Sequence, residues 1–380
     1  MKPVSPPRAT LFVAGLFLTG LALGSWAGRA AVARATSPYD GLDRFARMLT
    51  AIEADYVEAE DVDHLLDAAV AGMVAELDPH SRWMSADAVR ELEADADGSA
   101  IGFGIDVGVR EGGVVVLDVL PGSPAEREGL TAGDRILSID GVGLQGLELT
   151  EIEERFQGAR GEPSDLEVLR EGWEAPVRMA TKRDSIRIPA TESALLPGDV
   201  MYVRVVDFQR HCAEELAADV ARLQEQATTP WKGLLLDLRD NTGGLLDEAV
   251  AVADLFLDEG PIVSVRGRSR DEQVHRASSG AFPAEMPVFV LVDGVTASAS
   301  EIVAGALQET GRARLVGTPT YGKGSVQQLY RNPDGSALKL TVARYHLPSG
   351  APILSRQGLQ PDIRVEPAPR SSVRERLRTE

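Results

Sequence analysis

The sequence has very little cysteine and no clustered histidine, and both shortages exclude whole classes of chemistry. Cys212 is the single cysteine in 380 residues, so an internal disulfide and a CxxC redox or zinc motif are excluded. The five histidines are scattered without the spacing of metal ligands. We therefore expect no metal and no cofactor. Any chemistry has to come from hydroxyls, amines, carboxylates and the backbone.

Basic charge is also scarce. The chain carries 39 basic and 58 acidic residues, for a net charge of −19, which excludes nucleic acid as a favoured partner because its phosphates would be repelled. The residues are 44% hydrophobic and 26% charged, a composition typical of globular proteins. At about 150 residues per domain, the length predicts two or three folded units.

The N-terminal 34 residues have the layout of an export signal. Lys2 and Arg8 precede an uncharged apolar run over residues 11–26, and small residues that suit a cleavage site follow. The run is near the lower limit for spanning a bilayer, so a cleaved signal and an uncleaved inner-membrane anchor both remain open. Either one predicts a periplasmic or otherwise extracytoplasmic protein. A buried core helix is the structural alternative.

The rest of the chain divides by its hydrophobic pattern into four parts. Residues 35–98 repeat apolar positions at helical spacing, and their apolar face is wider than a helical hairpin can bury, which favours a homodimer. Residues 99–185 have short strands separated by turns, and residues 186–367 alternate apolar strands with helices. Residues 368–380 form a polar tail.

Within the strand-rich part, four segments occur in the order typical of one known domain. They are GFGI (102–105), PGSPAEREGL (121–130), AGDRILSIDG (132–141) and the strand pair around SDLEVLREG. Together they resemble a PDZ domain. The resemblance implies that the backbone amides of Gly102, Phe103, Gly104 and Ile105 capture the terminal carboxylate of a protein or peptide substrate, whose chain adds a strand to the sheet.

In residues 186–367, three strands are continuous apolar runs, which predicts a largely parallel sheet covered by helices. Ligands of such sheets gather at the carboxyl ends of the strands. Three unusual loops leave those ends, and they are RDNTGG (239–244), DGVTASAS (293–300) and TPTYGKGSVQ (318–327).

Hydroxyl and amine groups in these loops are the candidates for chemistry. Ser298 and Ser300 lie at a strand-to-helix transition, where a helix N-cap is the simplest interpretation. A hydroxyl nucleophile needs a base, and Lys323 is the basic side chain in the neighbouring loop. A Ser–Lys dyad requires a neutral amine, which burial favours. An exposed, charged and inert Lys323 is the alternative.

The run TASASEIVAGALQETGRARLVGTPTYGKGSVQ (296–327), with LLLDLRDNTGG and LDPHS (77–81), resembles the carboxyl-terminal processing, or tail-specific, serine proteases. The resemblance covers residues 40–366. It implies a mixed α/β multidomain fold: a helical N-terminal segment, a β-rich PDZ module and a ClpP/crotonase-like α/β protease core.

The resemblance also implies the roles of individual residues. Ser298 corresponds to the nucleophile, Lys323 to the general base, and Gln327 to the side chain that orients the lysine. The oxyanion donors correspond to the amide of Ala299 and to that of Gly243 or Gly244, between which the sequence does not decide. We expect a serine endopeptidase that cleaves through an acyl-enzyme and recognises the C-termini of its substrates.

Two rival interpretations remain. A non-catalytic periplasmic PDZ scaffold would only bind protein tails, and a Ser–His–Asp hydrolase would use His346 or His275 as its base. We also expect flexible tethers at residues 98–102 and 183–189, which would let the PDZ module move as a gate. An activating adaptor remains open as a partner.

Overall fold

The computed structural model describes residues 38–110, 113–228, 232–269, 271–278, 280–353 and 357–366. The chain separates into two compact units, Met1–Glu76 and Leu77–Glu380. The predicted export segment (1–34) and polar tail (368–380) lie outside the described residues. Within the ranges given, none of the helices combines the length and the apolar character needed to cross a bilayer.

The helices are α1 (Pro38–Asp55), α2 (Val62–Ala75), α3 (Ala86–Ala96), α4 (Pro124–Arg127), α5 (Leu149–Phe156), α6 (Cys212–Gln226), α7 (Leu246–Asp254) and α8 (Ala299–Glu309). The strands are β1 (Arg82–Met84), β2 (Ser99–Gly102), β3 (Ile105–Arg110), β4 (Gly113–Val119), β5 (Arg135–Ile139), β6 (Val142–Gly143), β7 (Pro163–Leu169), β8 (Val177–Lys182), β9 (Asp184–Arg187), β10 (Thr191–Leu196), β11 (Val200–Val205), β12 (Leu234–Asp237), β13 (Pro261–Gly267), β14 (Gln273–Arg276), β15 (Val288–Val292), β16 (Arg314–Gly317), β17 (Ser325–Arg331), β18 (Ala337–His346) and β19 (Ile363–Arg364).

The first unit contains α1 and α2. The carboxylate of Asp61 caps α2 by accepting a hydrogen bond from Asp63 N at 3.0 Å. Helix α1 leaves a row of apolar side chains exposed at near-helical spacing, and these are Tyr39, Leu42, Phe45, Met48 and Ile52. The helical prediction for this region is therefore confirmed, and its apolar face is left uncovered.

The strand-rich module contains a six-stranded sheet in the order β3-β4-β5-β7-β8, with β6 paired to β5. Its own apolar core includes Phe103, Ile136, Leu166 and Val168, all at most 2% exposed. Strand β3 stands at the sheet edge, so its outer backbone groups face no neighbouring strand of that sheet. The module is thus an independent β-rich core with one open edge.

The two chain segments that enter and leave this module pair with each other. Strand β2 runs antiparallel to β9 as a two-stranded ribbon, with Ser99 opposite Arg187 and Gly102 opposite Asp184. The sequence predicted two flexible tethers here, whereas the structure joins them by backbone hydrogen bonds. Any motion of the module would therefore carry both segments together.

A six-stranded sheet in the order β10-β11-β12-β15-β16-β19 forms the centre of the last region. All neighbouring pairs are parallel except β10 with β11, which confirms the prediction of a largely parallel sheet. Every residue of α8 from Ala299 to Leu307 is buried. Helix α8 contacts β16 of this sheet and β13 of a second one.

The second sheet was not predicted from the sequence. It is antiparallel in the order β1-β18-β13-β14, with β17 also paired to β18. Strand β17 follows the loop that carries Lys323, and β1 follows the LDPHS segment, so the sheet brings residues about 240 positions apart to the same place.

Candidate active site

Ser298 lies at the tight turn between β15 and α8. Its backbone has φ 57° and ψ −114°, a combination that a side chain other than glycine adopts only under strain of roughly 1–3 kcal/mol. A strained serine at a strand-to-helix junction is typical of the nucleophile turn of hydrolases. The side chain is nearly buried, at 9% exposed.

Asn241, from the loop after β12, holds this turn in place. Its backbone oxygen accepts a hydrogen bond from Ala297 N at 3.0 Å, and its side-chain oxygen accepts one from Ser300 Oγ at 2.9 Å. Its Nδ2 donates to Val205 O at 2.8 Å. Asn241 therefore joins the ends of three strands, β11, β12 and β15.

Gly243, in the same loop, lies against the nucleophile. A Cβ added there would be 2.8 Å from Ser298 Cβ and 2.9 Å from Ala299 N, and the glycine has φ 115°. Both the space and the backbone conformation thus require glycine. Two predicted oxyanion residues and the predicted nucleophile are therefore in direct proximity.

Glu301 connects the serine turn to the lysine loop. Its carboxylate is fully buried. One oxygen accepts from Ser298 N at 3.0 Å and from Lys323 N at 2.8 Å. The other accepts from Gly322 N at 2.8 Å and from Thr320 Oγ1 at 2.5 Å. The signal in the sequence was a glutamate three residues after a helix N-cap.

Lys323 is half-buried beside this carboxylate. Burial lowers the pKa of its ammonium, the cation of Arg82 lowers it further, and the anion of Glu301 opposes the shift. Among the described residues, no hydrogen bond joins Lys323 Nζ to Ser298 Oγ. Hydrogen bonds of a catalytic pair are often absent without substrate, so the dyad stays a prediction that the local electrostatics favour.

Gln327, predicted to orient the lysine, contacts other groups. Its Nε2 donates to Ser325 Oγ at 2.9 Å and to Thr341 Oγ1 at 3.4 Å. Thr341 in turn donates to Asp78 Oδ1 at 3.1 Å. The described part of the chain shows no bond from Gln327 to Lys323. Its orienting role therefore remains a prediction, while its connection to Asp78 of the LDPHS segment is new.

The two glycines proposed for the oxyanion site differ in their hydrogen bonding. Gly243 N already donates to Asn241 Oδ1 at 2.8 Å. The amides of Gly244 and Ala299 have no acceptor within the ranges described. Ala299 stands at the first position of α8, where an amide has no partner inside the helix and the helix dipole favours negative charge.

The predicted peptide-binding loop, Gly102 to Ile105, runs from the ribbon into β3. Phe103 is 2% exposed and packs edge-to-face on Phe156, with centroids 5.9 Å apart. Gly104 has φ 81° and lies so close to Ser123 that a Cβ would overlap the Ser123 side chain. The loop therefore presents backbone groups, with its one large side chain anchored in the core.

Histidine as the base finds little support in the geometry. His346 and His275 both lie on the second sheet, opposite Ser264 and Val263 of β13. The ring of His346 contacts Arg344 O, and Nε2 of His275 is buried without a partner among the described residues. Neither ring is hydrogen-bonded to Ser298 in the part of the chain that the structure covers.

A cavity of about 360 Å³ opens beside Gln327. Apolar side chains form much of its wall, and they include Leu246, Val265, Val326, Leu329 and Val342. Leu246 lies two residues after Gly244 in the chain, at the start of α7. Polar and charged side chains, among them Gln273, Gln328 and Arg331, complete the wall. The size of the cavity fits a side chain of a substrate.

A strained serine, a half-buried lysine linked to it through one carboxylate, and a β-rich module with an open edge together define a serine peptidase with a peptide-binding domain. The comparisons with known proteins agree. Residues 199–365 match the model of peptidase family S41, and residues 91–169 match that of the PDZ domain.

Several relatives extend over most of the chain. A carboxy-terminal-processing protease of Bartonella bacilliformis is 37% identical over 94% of this chain and 82% of its own. The carboxy-terminal processing protease CtpA of Bacillus subtilis is 31% identical over 92% and 73%. A solved structure from Bacteroides fragilis, described as an S41 protease, shares the fold at 21% identity and TM-score 0.52, over 84% of this chain and 89% of that one.

The chain therefore belongs to peptidase family S41 and carries a PDZ domain. It is a serine peptidase, as the resemblance in its sequence predicted.

Proposed function

We propose that the protein is an exported endopeptidase that recognises the C-termini of protein substrates and cleaves them through an acyl-enzyme on Ser298. The observation that carries the proposal is the carboxylate of Glu301, which holds Ser298 N and Lys323 N at 3.0 and 2.8 Å. One buried group thereby sets the positions of both proposed catalytic residues.

Lys323 would act as the general base. With its pKa lowered by burial and by Arg82, a larger fraction of the amine is neutral near pH 7 than in a free lysine. Nζ takes the proton of Ser298 Oγ during attack on the scissile carbonyl and returns it to the leaving amine. The proposed part of Gln327 is to hold Nζ in line once substrate is bound.

The oxyanion of the tetrahedral intermediate would be stabilised by the amides of Ala299 and Gly244. Both are free of acceptors in the described structure, whereas Gly243 N is engaged by Asn241. This supports Gly244 as the second donor and gives Gly243 the role of leaving space beside Ser298. Preorganised amides of this kind stabilise the developing charge without rearrangement.

Substrate would reach the dyad through the PDZ domain. The names of the relatives refer to carboxy-terminal processing, and edge strand β3 offers a free backbone row to which an extended tail can add. The Gly102–Ile105 loop would bind the terminal carboxylate. The cavity beside Gln327 would hold a side chain near the scissile bond.

Export and assembly are further parts of the proposal. The basic and apolar pattern of residues 1–34 supports an extracytoplasmic site of action, with the segment either cleaved or kept as an anchor. The exposed apolar row of α1 supports self-association as a homodimer. An activating adaptor that acts through the PDZ domain is a second candidate partner.

The test is hydrolysis of an unfolded protein that ends in an apolar tail, by purified wild-type protein and by Ser298→Ala. We expect internal cleavage by the wild type, detected by mass spectrometry, and none by the variant. A variant that still binds the tail but does not cut it would separate binding from catalysis. Binding of the tail by the wild type without any cleavage would instead support the scaffold interpretation.

A further inference from the structure

Three cations lie together at the proposed active site, and the one that has an anion beside it is Lys323, next to Glu301. Arg82 of β1 and Lys339 of β18 are directly opposite each other in the antiparallel pairing. Besides burial, the charge of Arg82 lowers the pKa of both Lys323 and Lys339, and the charge of Lys323 also lowers the pKa of Lys339. Burial lowers the pKa of His80, two residues before Arg82; Lys323 and Lys339 lower it further, and Asp78 opposes the shift. We call Arg82, Lys323 and Lys339 the cation cluster.

The lack of partners matters most at Lys339, because Lys339 is half-buried whereas Arg82 is exposed. Fourteen ion pairs occur among the described residues, and none includes a member of the cation cluster. Neither Arg82 nor Lys339 donates a side-chain hydrogen bond within the same ranges. Most other buried or half-buried cations of the core do have partners, as Arg312 does with three backbone oxygens.

The arrangement is unfavourable unless a ligand completes it. Like charges directly opposite each other on neighbouring strands destabilise a sheet. Burial and the two neighbouring cations also lower the pKa of Lys339. The negative groups nearest to the cluster are already engaged: Glu301 accepts four hydrogen bonds, and Asp78 binds Ser81 and Thr341.

We propose that Arg82 and Lys339 form an anion subsite that binds a carboxylate of the bound polypeptide. This inference rests on the proposed peptidase function. A carboxylate is the one anionic group that an unmodified polypeptide offers, and it accepts charge-assisted hydrogen bonds from guanidinium and ammonium groups. The source is either an acidic side chain or the C-terminus of the substrate.

The position of the cluster indicates which part of the substrate it contacts. Lys323 must reach the leaving amine to protonate it, so its neighbours Arg82 and Lys339 face the segment that follows the scissile bond. A peptide with a carboxylate close behind that bond is therefore favoured. The subsite would act alongside the PDZ domain, which binds the tail elsewhere on the chain.

The test measures binding by the full chain carrying Ser298→Ala, which prevents turnover. Cleavage by the wild type first locates the scissile bond. Peptides amidated at the C-terminus then carry Glu or Gln at successive positions after it, and fluorescence anisotropy gives their Kd. A second series compares acid with amide C-termini, which distinguishes a terminal carboxylate from a side-chain one.

The decisive comparison adds Arg82→Gln and Lys339→Met to the Ser298→Ala background. We expect the peptide with Glu at one position to bind about tenfold more tightly than the peptide with Gln there, or the peptide with a free C-terminal acid to bind about tenfold more tightly than its amide. One charge-assisted hydrogen bond would give a difference of this size. The double change should remove this preference. Any acid preference that survives it belongs to the PDZ domain, which the changes do not touch.

Arg314→Gln is the matched control, because it removes the same charge from an exposed arginine at the amino end of β16 and should leave the preference intact. The single change Arg82→Gln, at an exposed position, should also reduce the preference. This variant keeps Lys339, so its folding does not depend on whether the protein tolerates a change there. The subsite would be overturned if the Glu and Gln peptides bound equally well and the acid and amide peptides did too. It would also be overturned if the preference for the acidic peptide were unchanged in the cluster variants. Absence of all cleavage by the wild type would instead count against the peptidase proposal.

Discussion

The substitution Glu301→Gln tests whether Glu301 holds the serine turn and the lysine loop together, a role we call the clamp, or only caps helix α8. The carboxylate is fully buried and accepts four hydrogen bonds from the serine turn and the lysine loop. Glutamine has nearly the same shape but only one acceptor oxygen. Its NH₂ group must then face the amide of Gly322, or those of Ser298 and Lys323, which are donors themselves.

The expected magnitude follows from these contacts. The variant leaves one or two buried amides without an acceptor, at roughly 1–3 kcal/mol each, and it removes the charge from the remaining bonds. We expect about 2–4 kcal/mol lower stability, less than the 5–15 kcal/mol typical of a folded domain. The repelled loops would move by a few tenths of an ångström to about 1 Å, which typically lowers kcat about 100-fold.

The assay is kcat on a quenched fluorescent peptide, with the free energy of unfolding measured in urea. Glu309→Gln is the control, because Glu309 ends the same helix and accepts two hydrogen bonds from exposed Ser349. Its kcat should stay within twofold of the wild type. A kcat for Glu301→Gln that is also within twofold would refute the clamp.

Three further substitutions test other contacts. Gly243→Ala places a Cβ 2.8 Å from the Cβ of the nucleophile and should lower kcat at least tenfold with KM little changed; an active variant would show that the loop can yield. Arg82→Gln removes a cation that lowers the pKa of Lys323, so the acid limb of the kcat/KM profile should move to higher pH, and an unmoved limb would contradict the coupling. Gly104→Ala, which would overlap Ser123, should reduce cleavage of a tailed protein more than that of a short unstructured peptide; equal losses would argue against delivery by the PDZ domain.

The convergence of the three loops could be predicted from the sequence. Continuous apolar runs such as Leu234–Asp237 and Val288–Val292 indicate parallel strands buried on both faces. Because parallel strands end at the same edge, the loops that carry Asn241 and Ser298 had to lie close together. The hydrogen bond from Ala297 N to Asn241 O shows that they do.

The second sheet could not be predicted in the same way. Strand β17 begins inside a glycine-containing loop, and all its residues are partly or fully exposed, so it lacks the buried alternation that marks a strand. Pairing of β1 with β18 joins Arg82 to Lys339 across more than 250 residues. No local sequence pattern encodes such a pairing, so the cation cluster could not be predicted from the sequence.

The contacts of Glu301 show a second limit of prediction from local sequence patterns. A glutamate at the third position of a helix usually bonds to its own N-cap, and Ser298 N is indeed one of its donors. The other donors, Thr320, Gly322 and Lys323, come from the next strand–loop connection. The local pattern accounts for the contact with Ser298 N, and the tertiary structure adds the three contacts that reach the lysine loop.

The central claim is that Lys323 is the base that activates Ser298. Its most direct test is the pH dependence of kcat/KM for the wild type and Lys323→Ala, with Ser298→Ala as the baseline. The wild type should gain activity with rising pH, with an apparent pKa below the 10.5 of an ordinary lysine, and Lys323→Ala should stay at the baseline at every pH. Hydrolysis by Lys323→Ala with a limb near about 6.5, the value of a histidine, would contradict the account.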